Sequence, residues 1–297
     1  MTVPTDFPNL FAWITGDGGF VDLSGNGNNP TLPGGANNPT LVAGAVNGHT
    51  AIDFAAASLQ KFSLPSLTSF AAGEVFVVIK VNASPAPSAA KSGLFHLGSG
   101  ASGTDAAFPF TDGKIYGEFG TTSFTSEGTP VAPLTSWQIY NVSSSSAGYL
   151  STLSGAIQFA RTTNPLGWAS APTVGEGLAS NGRYLDGRIA EFVLYSAVMA
   201  DADRAALLNA LAAKYAIALS PATARFTAIS ASVPAVDIAT PLPKARLTAL
   251  SASVLALDIG NPPQVGARFT SLSLSAVAVD VTNPPRSAPY SYAMVIS

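Results

Sequence analysis

The chain has 297 residues, enough for a sizeable core, yet only 10% are charged and the net charge is −3. That charge divides as −5 over residues 1–217 and +2 over residues 218–297, with no basic stripe in either part, so nucleic acid is not an expected partner. There is no cysteine, which excludes disulfides and thiolate metal sites, and no apolar run approaches membrane-spanning length.

The opening MTVPTDFPNL has neither a basic nor an apolar leader region, so synthesis in a cytosol is expected, with exit by lysis or a dedicated route. FPNLFAWI (residues 7–14) reads as a first strand with Trp13 as a core aromatic. The Gly/Asn-dense stretch from Asp22 to Gly35 reads as an ordered turn series, because these residues tolerate left-handed backbone. HTAIDF (49–54) and KFSLP (61–65) suggest the two strands of a hairpin. In EVFVVIKVN (74–82), Val75, Val77, Ile79 and Val81 face one way and Phe76 and Val78 the other, the pattern of a strand buried on both faces. SWQIYNVS around Trp137 alternates, and GYLSTLSGAIQFA predicts a hairpin turning at Ser154-Gly155.

The organising stretch is YLDGRIAEFVLYSAVMADADRAALLNALAAKYAI, residues 184–217. Residues 189–195 are apolar on both parities, with Ala190, Phe192 and Leu194 on one face and Ile189, Val193 and Tyr195 on the other. The period then becomes helical: Leu207, Leu208, Leu211 and Tyr215 form one stripe, and Asp201 and Asp203 sit at the positive N-terminal end. Ala200 stands where a capping residue is expected, so Asp201 is the candidate cap. Many short strands followed by one helix predict an all-β, antiparallel two-sheet sandwich.

The pieces FAWITGDGG, the turn from Asp22 to Asn29 and the closing strand and helix resemble the laminin-G-like, concanavalin A-like jelly-roll domain of microbial and phage surface proteins. The match runs from Gly187 to Glu191 in the strand, through Ala200-Asp201-Ala202-Asp203-Arg204 at the helix start, to Lys214-Tyr215-Ala216-Ile217. It implies a jelly-roll sandwich over residues 1–218 with one C-terminal helix, and it says almost nothing about ligand.

Residues 219–297 are expected to form a second region. Three copies begin at Ala224, Ala245 and Ala267 and span about 224–244, 245–266 and 267–287, a period of 21 then 22 residues. Arg225, Arg246 and Arg268 are equivalent, as are Asp237, Asp258 and Asp280. A parity shift inside each copy predicts two short strands per copy. One copy is too small to bury its own face, so the copies are expected to pack on one another, on the sandwich or on other chains, in a small β-prism or a trimerising stalk. These Arg and Asp residues are the candidate assembly residues, setting register between copies or subunits. The tail SAPYSYAMVIS ends strand-like.

Candidate chemistry is sparse. Residues 98–103 fit G-x-G-x-x-G, but Pro109 breaks the helix such a motif needs, so a simple loop is expected. No strand carries the alternating carboxylates of a retaining glycosidase, and Glu191 reads as a paired structural carboxylate. No enzymatic activity is therefore expected. Calcium is the one cofactor left open: Asp22, Asn26 and Asn28 supply hard oxygens on one loop, although the same residues ordinarily close turns. A sugar would call on Trp168, the one aromatic in a clear loop context, with Asn181 and Tyr184 nearby, although loop aromatics more often pack inward as anchors. The expected role is a structural protein of a phage-like virion surface, a decoration, fibre or tail component. It would have a lectin-like head, a homo-oligomeric (trimeric) repeat region, and glycans and other subunits as partners. The alternative is a carbohydrate-binding adhesin of a bacterial surface.

Overall fold

The computed structural model describes residues 2–87, 92–100, 106–123, 125–177 and 182–220, together with short strand segments between 225 and 280. It divides into two units, Met1–Ser220 and Pro221–Ser297.

The first unit is a β-sandwich. Its large sheet contains β1 (Leu10–Thr15), β2 (Thr40–Val46), β3 (His49–Phe54), β5 (Gly73–Val81), β9 (Gln138–Ser145), β10 (Gly148–Leu153), β11 (Ala156–Arg161) and β13 (Gly187–Tyr195). The order is β11-β10-β9-β5-β13-β3-β2, and β1 also pairs with β13. All these pairings are antiparallel. The facing sheet consists of β4 (Phe62–Ser63), β6 (Phe95–Gly98) and β12 (Trp168–Val174) in the order β4-β12-β6. A separate ribbon pairs β7 (Ile115–Gly117) with β8 (Thr125–Gly128). An all-β jelly-roll sandwich with one helix is what the closing stretch and the alternation of β5 predict.

β13 is central because both its faces are apolar. On the inner side, Val75, Val77, Ile79 and Val81 of β5 join Ile189, Phe192 and Leu194 in the core between the sheets. On the outer side, Phe76, Val78, Ala190, Val193 and Tyr195 meet Leu207, Leu211 and Tyr215 of the helix α1 (Asp201–Tyr215). The β5 faces fall as the alternation predicts. In β13 the predicted parity fails at one point: a register shift against β5 between Ile189 and Glu191 turns Ile189 inward with Phe192, and Ala190 outward with Val193. Gly187 begins the strand because a Cβ there would lie 2.4 Å from the Lys80 carbonyl oxygen. The helix starts at Ala200 with no side-chain cap; Asp201 is already in the first turn and accepts from Arg204 Nη1 instead of capping.

The expected hairpin of residues 49–54 and 61–65 does not form. β3 pairs with β2 and β13, whereas β4 crosses to the other sheet and pairs with β12. The predicted Ser154-Gly155 hairpin does form, with both residues at positive φ (44° and 87°) between β10 and β11.

In the second unit each copy contributes two short strands: β14 (Arg225–Phe226), β15 (Val236–Asp237), β16 (Arg246–Leu247), β17 (Ala256–Asp258), β18 (Arg268–Phe269) and β19 (Ala278–Asp280). They pair in parallel, copy to copy, as β14-β16-β18 and β15-β17-β19. Arg225, Arg246 and Arg268 share one register position, and Asp237, Asp258 and Asp280 another. Among the described residues, then, the Arg positions align with Arg and the Asp positions with Asp. The described strands pair copy to copy, one of the packings open to units this small.

Candidate functional site

All five glutamates of the chain, Glu74, Glu118, Glu127, Glu176 and Glu191, are buried, at 0 to 4% exposure. Burying a carboxylate is costly unless it is bonded, so each marks a place where the fold has assembled donors.

Two lie under α1. Glu74 accepts from Arg204 Nη2 (3.0 Å) and Nε, from Asn141 Nδ2 (2.9 Å) and from the Met199 amide (2.9 Å). Glu191 accepts from the Trp13 indole (2.6 Å), Lys214 Nζ (2.7 Å) and the Tyr215 hydroxyl (2.7 Å). It is the paired structural carboxylate the sequence implied, and Trp13 lies on this outer side of the large sheet. Burial, with Glu191 close by, holds the Tyr215 hydroxyl far above its ordinary pKa. Glu127, inside the sandwich, has hydroxyl donors at hydrogen-bonding distance and no cation: Tyr140 and Tyr149 (2.8 Å each) and Ser151 (2.7 Å). Burial outweighs those three bonds and pushes its carboxyl above the ordinary range.

Glu118 and Glu176 belong to the outward face of the small sheet. Period-two alternation sends Phe62, Val174 and Phe95 into the core and leaves Ser63, Thr173 and His96 as a row across β4, β12 and β6. Beyond this row β12 bulges: Trp168 pairs with Gly98 and Thr173 with His96, so five steps along β12 match two along β6. The bulge is anchored, since the Leu64 and Leu67 amides donate to Pro172 and Ala169 (3.0 Å each). It walls a cleft of about 640 Å³ lined by Lys61, His96, Ser99, Trp168, Ser170 and Glu176 among others. The volume lies in the range of small-ligand sites.

At one end Lys61 Nζ donates to Glu176 Oε2 at 2.6 Å, with the carboxylate 1% exposed and the lysine 26%. Tyr184 forms a β-bridge with Glu176, and burial together with that carboxylate pushes the phenol up to about 12. Along the other wall, His96 Nδ1 lies 2.9 and 3.1 Å from the two oxygens of the fully buried Glu118. Gly98 allows this packing, because a Cβ there would meet the Glu118 carbonyl oxygen at 2.2 Å. A second depression, about 620 Å³, lies between the β2–β3 turn and the end of α1, but no charged residue lines it.

The predicted site residues fare unevenly. Trp168 begins β12 instead of sitting in a loop, and is 7% exposed. Its ring packs against Phe70 (5.2 Å) and Phe119 (5.1 Å), so it forms an inner wall and offers no exposed stacking platform. Its indole N–H is buried without a hydrogen-bond partner. Tyr184 reaches the cleft region through Glu176; Asn181 lies outside the described residues. Asp22 spends both oxygens on its own turn, accepting from the amides of Trp13, Ser24 and Asn28 and from the Ser24 hydroxyl. Asn26 Nδ2 donates to the Leu10 carbonyl and Asn28 Nδ2 to that of Phe11, so the three residues tie the turn to β1. Lys61, His96, Glu118 and Glu176 were missed as a group, since the sequence separates them by up to 115 positions and only the pairing of β4, β12 and β6 unites them.

Comparisons with known protein families and with characterised protein sequences give no match. Solved structures do share the fold. Domain 4 of AbnA, an extracellular GH43 arabinanase from Geobacillus stearothermophilus solved with arabinotriose, superposes with a TM-score of 0.50 at 16% identity, covering 67% of this chain and 98% of that one. The binding domain of Paraclostridial Mosquitocidal Protein 1 gives 0.52 at 13% identity, over 70% and 53%. Trypanosoma rangeli sialidase gives 0.50 at 10%, over 70% and 34%. The match thus spans about half of the second and a third of the third, and identities this low speak for the fold alone.

Proposed function

We propose that the protein is a non-enzymatic, lectin-like surface component of the laminin-G-like group, whose sandwich head binds glycan in the cleft beside β12. The observation that carries this is the cleft itself: an ammonium, a carboxylate, an imidazole and several hydroxyls converge on a rigid sheet face opened by an anchored bulge. Such a mixture of donors and acceptors suits a polyhydroxylated ligand. That a domain of the same fold was solved with arabinotriose supports the reading. Both cleft carboxylates are engaged by a basic side chain, which favours binding over hydrolysis. The low charge and the three repeated copies support the finer reading, in which the second unit joins copies of the chain, as a trimer, on a phage-like particle surface.

Calorimetry of the full chain against neutral and acidic oligosaccharides tests the head: saturable binding without release of reducing ends is expected, and no heat with any of them overturns the reading. Light scattering on the same sample tests the assembly, with a trimer mass expected and a monomer at all concentrations against it.

A further inference from the structure

We infer that the cleft is specific for neutral glycans and rejects those bearing a carboxylate, such as sialylated or uronic-acid sugars. This rests on the glycan-binding reading above and adds to it the class of sugar. Among the described residues Lys61, His96 and Glu176 line the cleft, and Glu118 is buried behind the His96 imidazole. The single lysine is already committed, its ammonium 2.6 Å from Glu176 Oε2, which leaves it no unspent charge for a ligand carboxylate. His96 is committed likewise, facing both oxygens of Glu118 at 2.9 and 3.1 Å. With the imidazole neutral the four groups sum to one negative charge, and with it protonated to zero; neither state is cationic. No arginine lines the cleft among the described residues, so the planar bidentate fork that usually seizes a carboxylate is missing from its walls. An incoming anion would face the Glu176 carboxylate, with that of Glu118 buried behind His96, in a site partly shielded from water, where like charge is expensive. Hydroxyls meet no such opposition: one can donate to Glu176 while its neighbour accepts from Lys61, whose ammonium has further protons to give.

The experiment compares matched pairs on the full chain at low ionic strength: lactose against sialyllactose, and arabinotriose against trigalacturonate. The neutral member of a pair is expected to bind at least about tenfold more tightly than the acidic one, with added salt narrowing the gap. Glu176→Gln frees the Lys61 charge and should shrink or reverse the preference; Lys61→Gln removes the cation and should widen it. The wild-type comparison decides even if a variant fails to fold. Acidic sugars binding as well as or better than neutral ones would overturn the inference while leaving the lectin reading intact. Failure of every glycan to bind would remove both.

Discussion

The two outer faces of the sandwich handle the same residue type in opposite ways. On the large sheet, Glu74 and Glu191 are roofed by α1, and each is met by a cation together with neutral donors. On the small sheet, Glu176 meets Lys61 at the wall of a cleft, and Glu118 is buried behind His96, which lines the same cleft. A carboxylate enclosed by donors on all sides serves the architecture. One whose partner remains 26% exposed beside a cavity can exchange bonds with a ligand. Cover, more than composition, separates the roofed face from the open one.

If cover is what differs, the largest loss should come from opening the roofed side. Arg204→Ala strands Glu74 with two neutral donors and should cost about 3–5 kcal/mol in urea denaturation, the range for breaking a buried pair. Leu207→Ala, at 0% exposure in the helix–sheet core, should cost about 2–5 kcal/mol by leaving a cavity. Lys61→Met on the open side should cost only about 1.5–3 kcal/mol, that of a hydrogen bond to a charged group, because cleft water can rehydrate Glu176. A Lys61→Met loss as large as that of Arg204→Ala would erase the distinction between the faces.

The contrast also explains what the sequence disclosed. The roofed face was legible because it is built from periodicity: β5 alternates over nine residues, and Leu207, Leu211 and Tyr215 recur at helical spacing. Glu191 stood out as an acid inside an apolar run. The open face was illegible for the opposite reason. β4 is two residues long and β12 carries a bulge, so neither shows a clean period, and β4 was assigned to the wrong partner. Trp168 stands out in the sequence, but a tryptophan in a Pro/Gly context gives no sign of whether its ring turns inward, as it does here. The bulge at Ala190 is invisible to a parity count for the same reason: an inserted residue leaves no trace in an all-apolar run.

Glu127 belongs to neither face and sharpens the comparison with the smallest of these effects. Among the described residues it has no ion-pair partner within bonding distance and no cleft; it accepts from the hydroxyls of Tyr140, Tyr149 and Ser151, and burial outweighs these and the more distant Arg161 charge to raise its carboxyl above the ordinary 4.5. A folded-state value above the unfolded one means that the native state binds more protons as pH climbs from about 4.5 through the raised value, so stability falls over that interval and is flat beyond it. Asp17, depressed below 3.8 by the Thr50 amide and His49, acts in the other direction and only at lower pH, so the two windows separate. Glu127→Gln removes the titration while preserving the bonds. Its carbonyl can take the place of Oε1, which accepts from both tyrosines, and its amide can donate to Ser151, whose hydroxyl rotates to accept. Thermal melts of both proteins from pH 4.5 upward should therefore show a decline in the wild type that is reduced in the variant. Parallel curves would mean that Glu127 is charged at no cost, and that hydroxyls alone can do inside the sandwich what Arg204 and Lys214 do beneath the helix.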